Sequence, residues 1–237
     1  MIPIADDNRG RRGSAWMTWL IIAANILVFI FIQGFGSDEE ATRVFALVPA
    51  YLLAGGGFLT LITSMFLHGG FLHLAGNMLF LGVFGDNVEC RIGHGRYLLL
   101  YLGSGIIGAL AHVATAALSG AGLGTPLVGA SGAISGILGA YLVLFPGNRV
   151  TVLLFNFIPT RLSAWFVIGF WFFMQVAGGL SGWSSSGVAY VVHIGGFAAG
   201  WIWSRRYRRR EIERIERERA ERIAAGYRAS IPWWFVE

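Results

Sequence analysis

Four long stretches of the chain contain no charged side chain. They lack Asp, Glu, Lys and Arg and comprise residues 13–37, 44–85, 97–148 and 162–204. A helix that crosses a bilayer needs about 20 predominantly apolar residues, and Gly-rich breaks divide the longer stretches. The segments of spanning length lie at about 15–33, 71–87, 97–118, 130–146, 162–179 and 187–204. This pattern predicts an all-α membrane protein.

The apolar segment 44–66 fits either a seventh span or a segment in the membrane interface, because Pro49 and Gly55–Gly57 interrupt it. The arginines decide between the two, since the cytoplasmic flanks of spans carry an excess of basic residues. Arginines precede the first predicted span and follow the last, so both ends belong on one side and the number of spans is even. We predict a bundle of six transmembrane helices, in which residues 34–66 form an external, partly embedded interfacial loop between spans 1 and 2.

The composition agrees with a membrane protein that uses no prosthetic group. Hydrophobic residues make up 55% of the 237 residues and charged residues only 13%, whereas soluble domains have about 25% charged residues. The single cysteine, Cys90, excludes a disulfide framework and a thiolate zinc site. Zinc-protease, Rossmann and P-loop motifs are missing from the sequence, so we predict neither a metal nor a cofactor.

The charged residues divide the chain into a membrane domain and two tails. We predict a cytoplasmic N-terminal tail at 1–14, a six-span domain at 15–204 and a charged cytoplasmic helical tail at 205–237. The C-terminal tail begins with arginines and continues with Glu and Arg at helical spacing, which is typical of a solvated helix anchored to anionic lipid. The predicted partner of this tail is therefore the lipid of the plasma membrane and not a nucleic acid.

Few polar groups lie within the predicted spans, where they are costly and mark candidate functional sites. The candidates are His73, Asn77, His112, Ser131 and His193. Spans two, four and six run from outside to inside in the six-span topology. Their four polar residues therefore lie in the outer half of the bilayer, at one depth.

Each of these residues has a simpler structural explanation when it is taken alone. A serine in a Gly-Ala-Ser-Gly run is common on a small-residue packing face, and a lone histidine or asparagine often joins two helices by a hydrogen bond. Together, however, the four residues of the even-numbered spans supply a nucleophile, a base and two oxyanion donors at one depth. This combination predicts a catalytic site.

The candidate chemistry is that of a serine nucleophile. A serine hydroxyl needs an adjacent base, and histidine suits that role because its ordinary pKa of about 6.5 lies near neutrality. Between Glu89 and Glu211 the sequence has no acidic residue, so we predict a dyad of Ser131 and His193 without a carboxylate. His112 is the rival base, because it also lies in the outer half of its span.

Small residues predict how the two partners meet. Gly132 and Gly136 on the fourth span, and Gly196 and Gly200 on the sixth, form two GxxxG patterns that let helices approach closely. His193 shares one helix face with the second pair. Packing of these faces is expected to bring His193 towards Ser131.

With these residues in this order, the sequence resembles the rhomboid family of intramembrane serine proteases. The resemblance extends from about Phe45 to Gly200, and its strongest segments are TSMFLHGGFLHLAGNMLFLGVFGDNVECRIG, LVGASGAISGILGAY and VHIGGFAAG. The positions that match the family's motifs are His73, Asn77, Glu89, Arg91, Gly129, Ser131, His193, Gly196 and Gly200.

The resemblance implies a role for each of these positions. Ser131 corresponds to the nucleophile and His193 to the base, while His73, Asn77 and Gly129 correspond to the oxyanion site. The remaining four belong to structural motifs. The sequence departs from many family members at Ser135, where they carry an aromatic residue that stacks on the base.

The implied activity is cleavage of peptide bonds in or near the transmembrane segment of single-span membrane proteins. The sequence gives no indication of the oligomeric state. One alternative is an inactive relative that binds membrane clients, against which the intact Ser131 and His193 argue. A second alternative is a transporter or channel, against which the absence of a clear internal repeat argues.

Overall fold

The structure is a computed structural model that describes residues 1–7, 13–36, 38–155, 157–180 and 189–224. In this part of the chain the helices are α1 (Trp16–Leu27), α2 (Glu39–Phe45), α3 (Pro49–Leu53), α4 (Thr60–Thr63), α5 (Phe71–Ile92), α6 (His94–Ser119), α7 (Ser131–Leu144), α8 (Ala164–Leu180) and α9 (Tyr190–Ala224). Helix α1 continues as a π-helical turn over Val28–Ile32. The predictions for residues 8–12, 181–188 and 225–237 lie outside the described residues.

Each of the six predicted spans coincides with one of these helices. Helix α6 is, among the described residues, the one that is by itself long and apolar enough to cross a membrane. The segment Thr60–Phe66 and α5 are long and apolar enough when they are taken together, but a bend of 96° separates them. The apolar helices Trp16–Ile32, Ser131–Leu144 and Ala164–Leu180 are shorter. The number of crossings therefore stays a prediction.

Helix α7 forms the centre of the bundle, and almost all of its residues are buried. It packs against α5, α6 and α9. The contact with α9 is made by backbone: a Cβ atom on Gly196 would collide with the carbonyl oxygen of Gly132, and one on Gly200 with that of Gly136. Only glycine allows this approach, so these positions fix the distance between α7 and α9.

A three-stranded antiparallel sheet lies at one end of the bundle, and the all-α prediction did not contain it. The strands are β1 (Ile2–Asp6), β2 (Arg149–Leu154) and β3 (Ile158–Ser163), in the order β1-β2-β3. Valine and threonine alternate in β2, as in a strand with one buried face. Its partner β1 comes from the predicted N-terminal tail, a pairing that no local pattern indicates.

Glu89 joins α5 to the first turn of α1. Its fully buried carboxylate accepts hydrogen bonds from the backbone N–H groups of Met17 at 2.9 Å and Thr18 at 2.7 Å, and from the Thr18 hydroxyl at 2.6 Å. The ring of His94 lies 2.5 Å from the same carboxylate. Helix α1 has no cap from its own N-cap residue, Ala15, so Glu89 caps it from another helix.

The neighbouring motif residue, Arg91, joins α5 to α9. Its guanidinium forms a bidentate ion pair with the Glu211 carboxylate, with N···O distances of 2.8 and 2.7 Å. Helix α9 runs without a break from the sixth predicted span into the charged tail. The pair therefore fastens the beginning of that tail to the bundle.

Glu89→Ala leaves the first turn of α1 without an acceptor, and we expect a loss of about 3 kcal/mol in the free energy of unfolding. Denaturant-induced unfolding in detergent micelles measures this loss. Glu40→Ala is the control, because Glu40 forms an exposed pair with Arg43 and such pairs contribute about 0–1 kcal/mol. Equal stability of the two variants would contradict the capping role.

Asp6 at the end of β1 lies in a polar cluster. It accepts hydrogen bonds from the Tyr141 hydroxyl at 2.5 Å and from the Asn87 side chain. Burial raises the pKa of Asp6, and the nearby carboxylate of Asp86 acts in the same direction, against the effect of the two hydrogen bonds. The folded state therefore binds a proton at Asp6 more tightly than the unfolded state does.

This difference predicts a pH-dependent effect of Asp6→Asn. Because the pKa is raised on folding, Asp6 contributes stability at low pH, and this contribution is lost as the pH rises from about 4 through the folded-state value. The melting temperature of the variant minus that of the parent should therefore increase between pH 4 and pH 7. Thermal unfolding at several pH values tests this, with the exposed Glu39→Gln as control. A constant or falling difference would contradict the assignment.

Candidate active site

Ser131 and His193 are hydrogen-bonded neighbours in the structure. Ser131 is the first residue of α7 and His193 lies in the first turn of α9. The distance from Ser131 Oγ to His193 Nε2 is 2.8 Å. The glycine contacts between α7 and α9 begin one turn further along, at Gly196, so the close approach of the two backbones sets this distance.

The other ring nitrogen of His193 is also engaged. Its Nδ1 lies 2.8 Å from Oε1 of Gln175 on α8. The Gln175 amide is buried, and its Nε2 donates to the backbone carbonyl of Trp171 at 3.3 Å. The Trp171 ring lies beside the imidazole, with centroids 5.9 Å apart.

The sequence did not predict that either of these α8 residues lies beside His193. A signal for Gln175 was present, because it is an amide in an otherwise apolar and aromatic segment. In the six-span topology it lies towards the outer end of the fifth span, at the depth of the other polar residues. The third partner expected for a Ser/His pair is a carboxylate. An amide oxygen, however, accepts a hydrogen bond equally well.

Ser135 forms its hydrogen bond within α7 and not with the imidazole. It is fully buried and donates a hydrogen bond of 2.6 Å to the carbonyl of Ser131, one turn earlier in α7. The aromatic ring beside His193 comes from Trp171 of a different helix. The departure from the family pattern at position 135 is thus accompanied by an aromatic partner from α8.

His73 and Asn77 lie against Gly129, two residues before Ser131. A Cβ atom on Gly129 would be 2.9 Å from the His73 ring and 3.8 Å from Asn77 Nδ2. Gly129 has a φ of +126°, which favours glycine for a second reason. Its N–H donates to the carbonyl of Ser64 at 2.9 Å, and this bond fixes the loop in front of α7.

Both side chains offer a donor near Gly129. The N–H of Gly69 donates to Nδ1 of His73 at 3.3 Å, so in the neutral ring Nε2 carries the proton and lies on the Gly129 side. Asn77 is buried, and its Nδ2 has no hydrogen-bond partner among the described residues. These two donors lie beside Gly129, two residues before Ser131, where the first turn of α7 has N–H groups without an acceptor in the helix.

Three further predicted positions make no hydrogen bond to Ser131 within the described residues. Glu89 and Arg91 are at the opposite end of α5, where they bind α1 and α9. His112 lies on α6, and no hydrogen bond within the described residues joins it to Ser131. Of the two candidate bases, the structure places His193 beside the hydroxyl.

The described residues contain no group of three His, Cys, Asp or Glu side chains placed to hold a metal ion. The arrangement is instead that of a hydroxyl, an imidazole and neutral hydrogen-bond donors. Such a group can transfer a proton from the hydroxyl and stabilise negative charge on a carbonyl oxygen.

Comparison with known proteins agrees with the sequence motifs. Residues 55–210 match the family model described as Rhomboid domain. The chain is 38% identical to rhomboid protease GluP of Bacillus subtilis over 59% of its length, and 41% identical to the putative rhomboid protease YdcA of the same organism over 41%. It is 29% identical to the mitochondrial rhomboid protein 1 of Saccharomyces cerevisiae over 63%.

These alignments cover only part of each relative: 26% of GluP, 48% of YdcA and 41% of the yeast protein. They establish the kind of domain that the chain contains. Because the family match covers most of the chain, and the polar residues of its motifs meet in a helical bundle, the chain belongs to the rhomboid family of integral membrane proteins.

Proposed function

We propose that the protein is an intramembrane serine endopeptidase that cleaves transmembrane or juxtamembrane segments of single-span membrane proteins with a Ser/His dyad. The observation that carries the proposal is the 2.8 Å hydrogen bond between Ser131 Oγ and His193 Nε2. The similarity to rhomboid protease GluP and to the putative rhomboid protease YdcA supports it.

In the proposed reaction, Ser131 Oγ attacks the carbonyl carbon of the scissile bond while His193 Nε2 accepts its proton. The carbonyl oxygen becomes negatively charged. Donors for it are the N–H groups at the start of α7, His73 Nε2–H and Asn77 Nδ2–H. His193 then protonates the leaving amine, which gives an acyl-enzyme on Ser131. A water molecule hydrolyses the ester, again with His193 as the base.

The proposed topology has six crossings, both tails in the cytoplasm and residues 34–66 in the outer interface of the plasma membrane. The distribution of arginines supports it. So do the short helices of the loop, α2 to α4, and the 96° bend before α5. Large apolar side chains of this region, including Tyr51, Phe58 and Leu59, are exposed, as expected for residues that face lipid.

Ser131→Ala and His193→Ala should each abolish proteolysis, because one removes the nucleophile and the other its base. Reconstituted protein and candidate single-span substrates test this, with the cleavage site mapped by mass spectrometry. Labelling by a fluorophosphonate reports the nucleophile directly. His112→Ala is the matched control and should retain most of the activity.

Two outcomes would contradict the proposal. If His112→Ala were inactive and His193→Ala active, the base would be wrongly assigned. If the parent neither cleaved any substrate nor reacted with a fluorophosphonate, the alternative of an inactive client-binding relative would replace it.

Asn77→Ala should lower kcat by less than the roughly 10²–10³-fold typical of losing an oxyanion donor, because His73 and the backbone donors remain. Steady-state cleavage rates and melting temperatures of the variant and the parent measure the two effects separately. A variant as inactive as Ser131→Ala, with a lowered melting temperature, would show that Asn77 acts through the packing of α5.

A further inference from the structure

We propose that Gln175 of α8 is a positioning residue that fixes the tautomer and orientation of His193. The inference rests on the proposed function, since it assigns to His193 the role of base. It goes beyond the dyad because it adds a third, uncharged partner from another helix.

The orientation of the Gln175 amide follows from its two hydrogen bonds. A backbone carbonyl can only accept, so the group that faces the Trp171 carbonyl at 3.3 Å must be the amide NH2. The amide oxygen then faces His193 Nδ1 at 2.8 Å. The contact with the Trp171 carbonyl thereby determines which end of the amide is the nitrogen and which is the oxygen.

The amide oxygen in turn determines where His193 carries its proton. An oxygen acceptor requires a donor, so Nδ1 is protonated in the neutral imidazole and Nε2 holds the lone pair. Nε2 is the atom that lies 2.8 Å from Ser131 Oγ. The tautomer selected by Gln175 is therefore the one that can take the serine proton. The opposite tautomer would present an N–H to the hydroxyl and could not act as a base.

Two further contacts explain why α8 is needed for this task. Ser135, at the position of the family's stacking residue, donates its hydrogen bond to the backbone of α7 and provides no aromatic ring beside the imidazole. Trp171 covers the ring from α8, one turn from Gln175. Helix α8 thus supplies both a ring contact and the hydrogen bond to Nδ1.

An amide suits this place because it carries no charge. A carboxylate buried at this depth requires a partner to offset its desolvation, and no acidic side chain or arginine within the described residues contacts His193. His73 of α5 is the titratable side chain whose charge acts on His193. The charged residues of α5 and α6, from Asp86 to Arg96, lie at the opposite end of those helices, and His112 lies further along α6. Gln175 can therefore orient the base without placing a fixed charge in the site.

The test compares two substitutions at position 175 in the reconstituted full chain. Gln175→Leu removes the acceptor, and we expect a loss in kcat of about 10–10²-fold with little change in KM. Gln175→Glu restores an acceptor, so it should recover most of kcat. Because a carboxylate stabilises the imidazolium, the acid limb of the pH–rate profile of Gln175→Glu should move to higher pH.

Three controls separate this role from simple packing. Met174→Leu alters the exposed neighbour on α8 and should leave kcat and the pH profile unchanged. The ¹⁵N shifts of His193, assigned with His193→Ala, should show the Nδ1–H tautomer in the parent. This signature should be lost in Gln175→Leu. Melting temperatures identify variants that fail to fold.

The outcomes distinguish this inference from the proposed function. If Gln175→Leu matched the parent in kcat, pH profile and ¹⁵N shifts while Ser131→Ala was inactive, the positioning role would be overturned and the protease would stand. If both substitutions lowered activity and melting temperature equally, without a shift in the pH profile, Gln175 would be a packing residue. If Ser131→Ala remained active, the proposed function itself would fail.

Discussion

The close approach of α7 and α9 is the constraint on which the rest of the site depends. In a bilayer the hydrophobic effect does not drive helices together, so contact relies on van der Waals packing between backbones. Here the carbonyls of Gly132 and Gly136 occupy the space where side chains of Gly196 and Gly200 would begin. Any larger residue at these positions separates the helices, and the distance between Ser131 and His193 increases with them. The glycines do no chemistry, yet they determine whether the proposed dyad exists.

Charged and neutral polar groups are segregated along the bundle. At one end, Glu89, Arg91 and Asp6 hold α1, α9 and β1 to the bundle through hydrogen bonds and ion pairs. At the other end, Ser131, His193 and Gln175 interact without a formal charge. This division follows from the cost of burying charge, which the structural contacts offset with fixed partners.

The sequence was sufficient to predict much of this arrangement. Each helix begins within a few residues of its predicted apolar segment. The predicted topology placed His73, Asn77, Ser131 and His193 in one half of the bilayer, and Ser131 lies beside His193 in the structure. The glycine patterns predicted which helices meet. These features are local or periodic, and a single sequence therefore displays them.

The features that could not be predicted depend on pairings between distant segments. Strand β1 pairs with β2 across most of the chain, and a five-residue strand has no periodicity that separates it from a tail. Gln175 was visible as an amide in an apolar helix, but nothing in its spacing connects it to His193. The same holds for Glu89, whose motif was recognised but whose role as a cap for α1 depends on how two helices pack.

The two halves of the proposed site are held by different kinds of contact. Ser131 and His193 are joined by backbone packing that leaves no room for adjustment. Gln175 belongs to α8, which meets α9 through aromatic rings such as Phe172 on Phe197, with centroids 4.2 Å apart. Stacked rings can slide past one another at less cost than glycines pressed against carbonyls can separate. The pairing of nucleophile and base is therefore the rigid element, while the orientation of the base depends on where α8 lies.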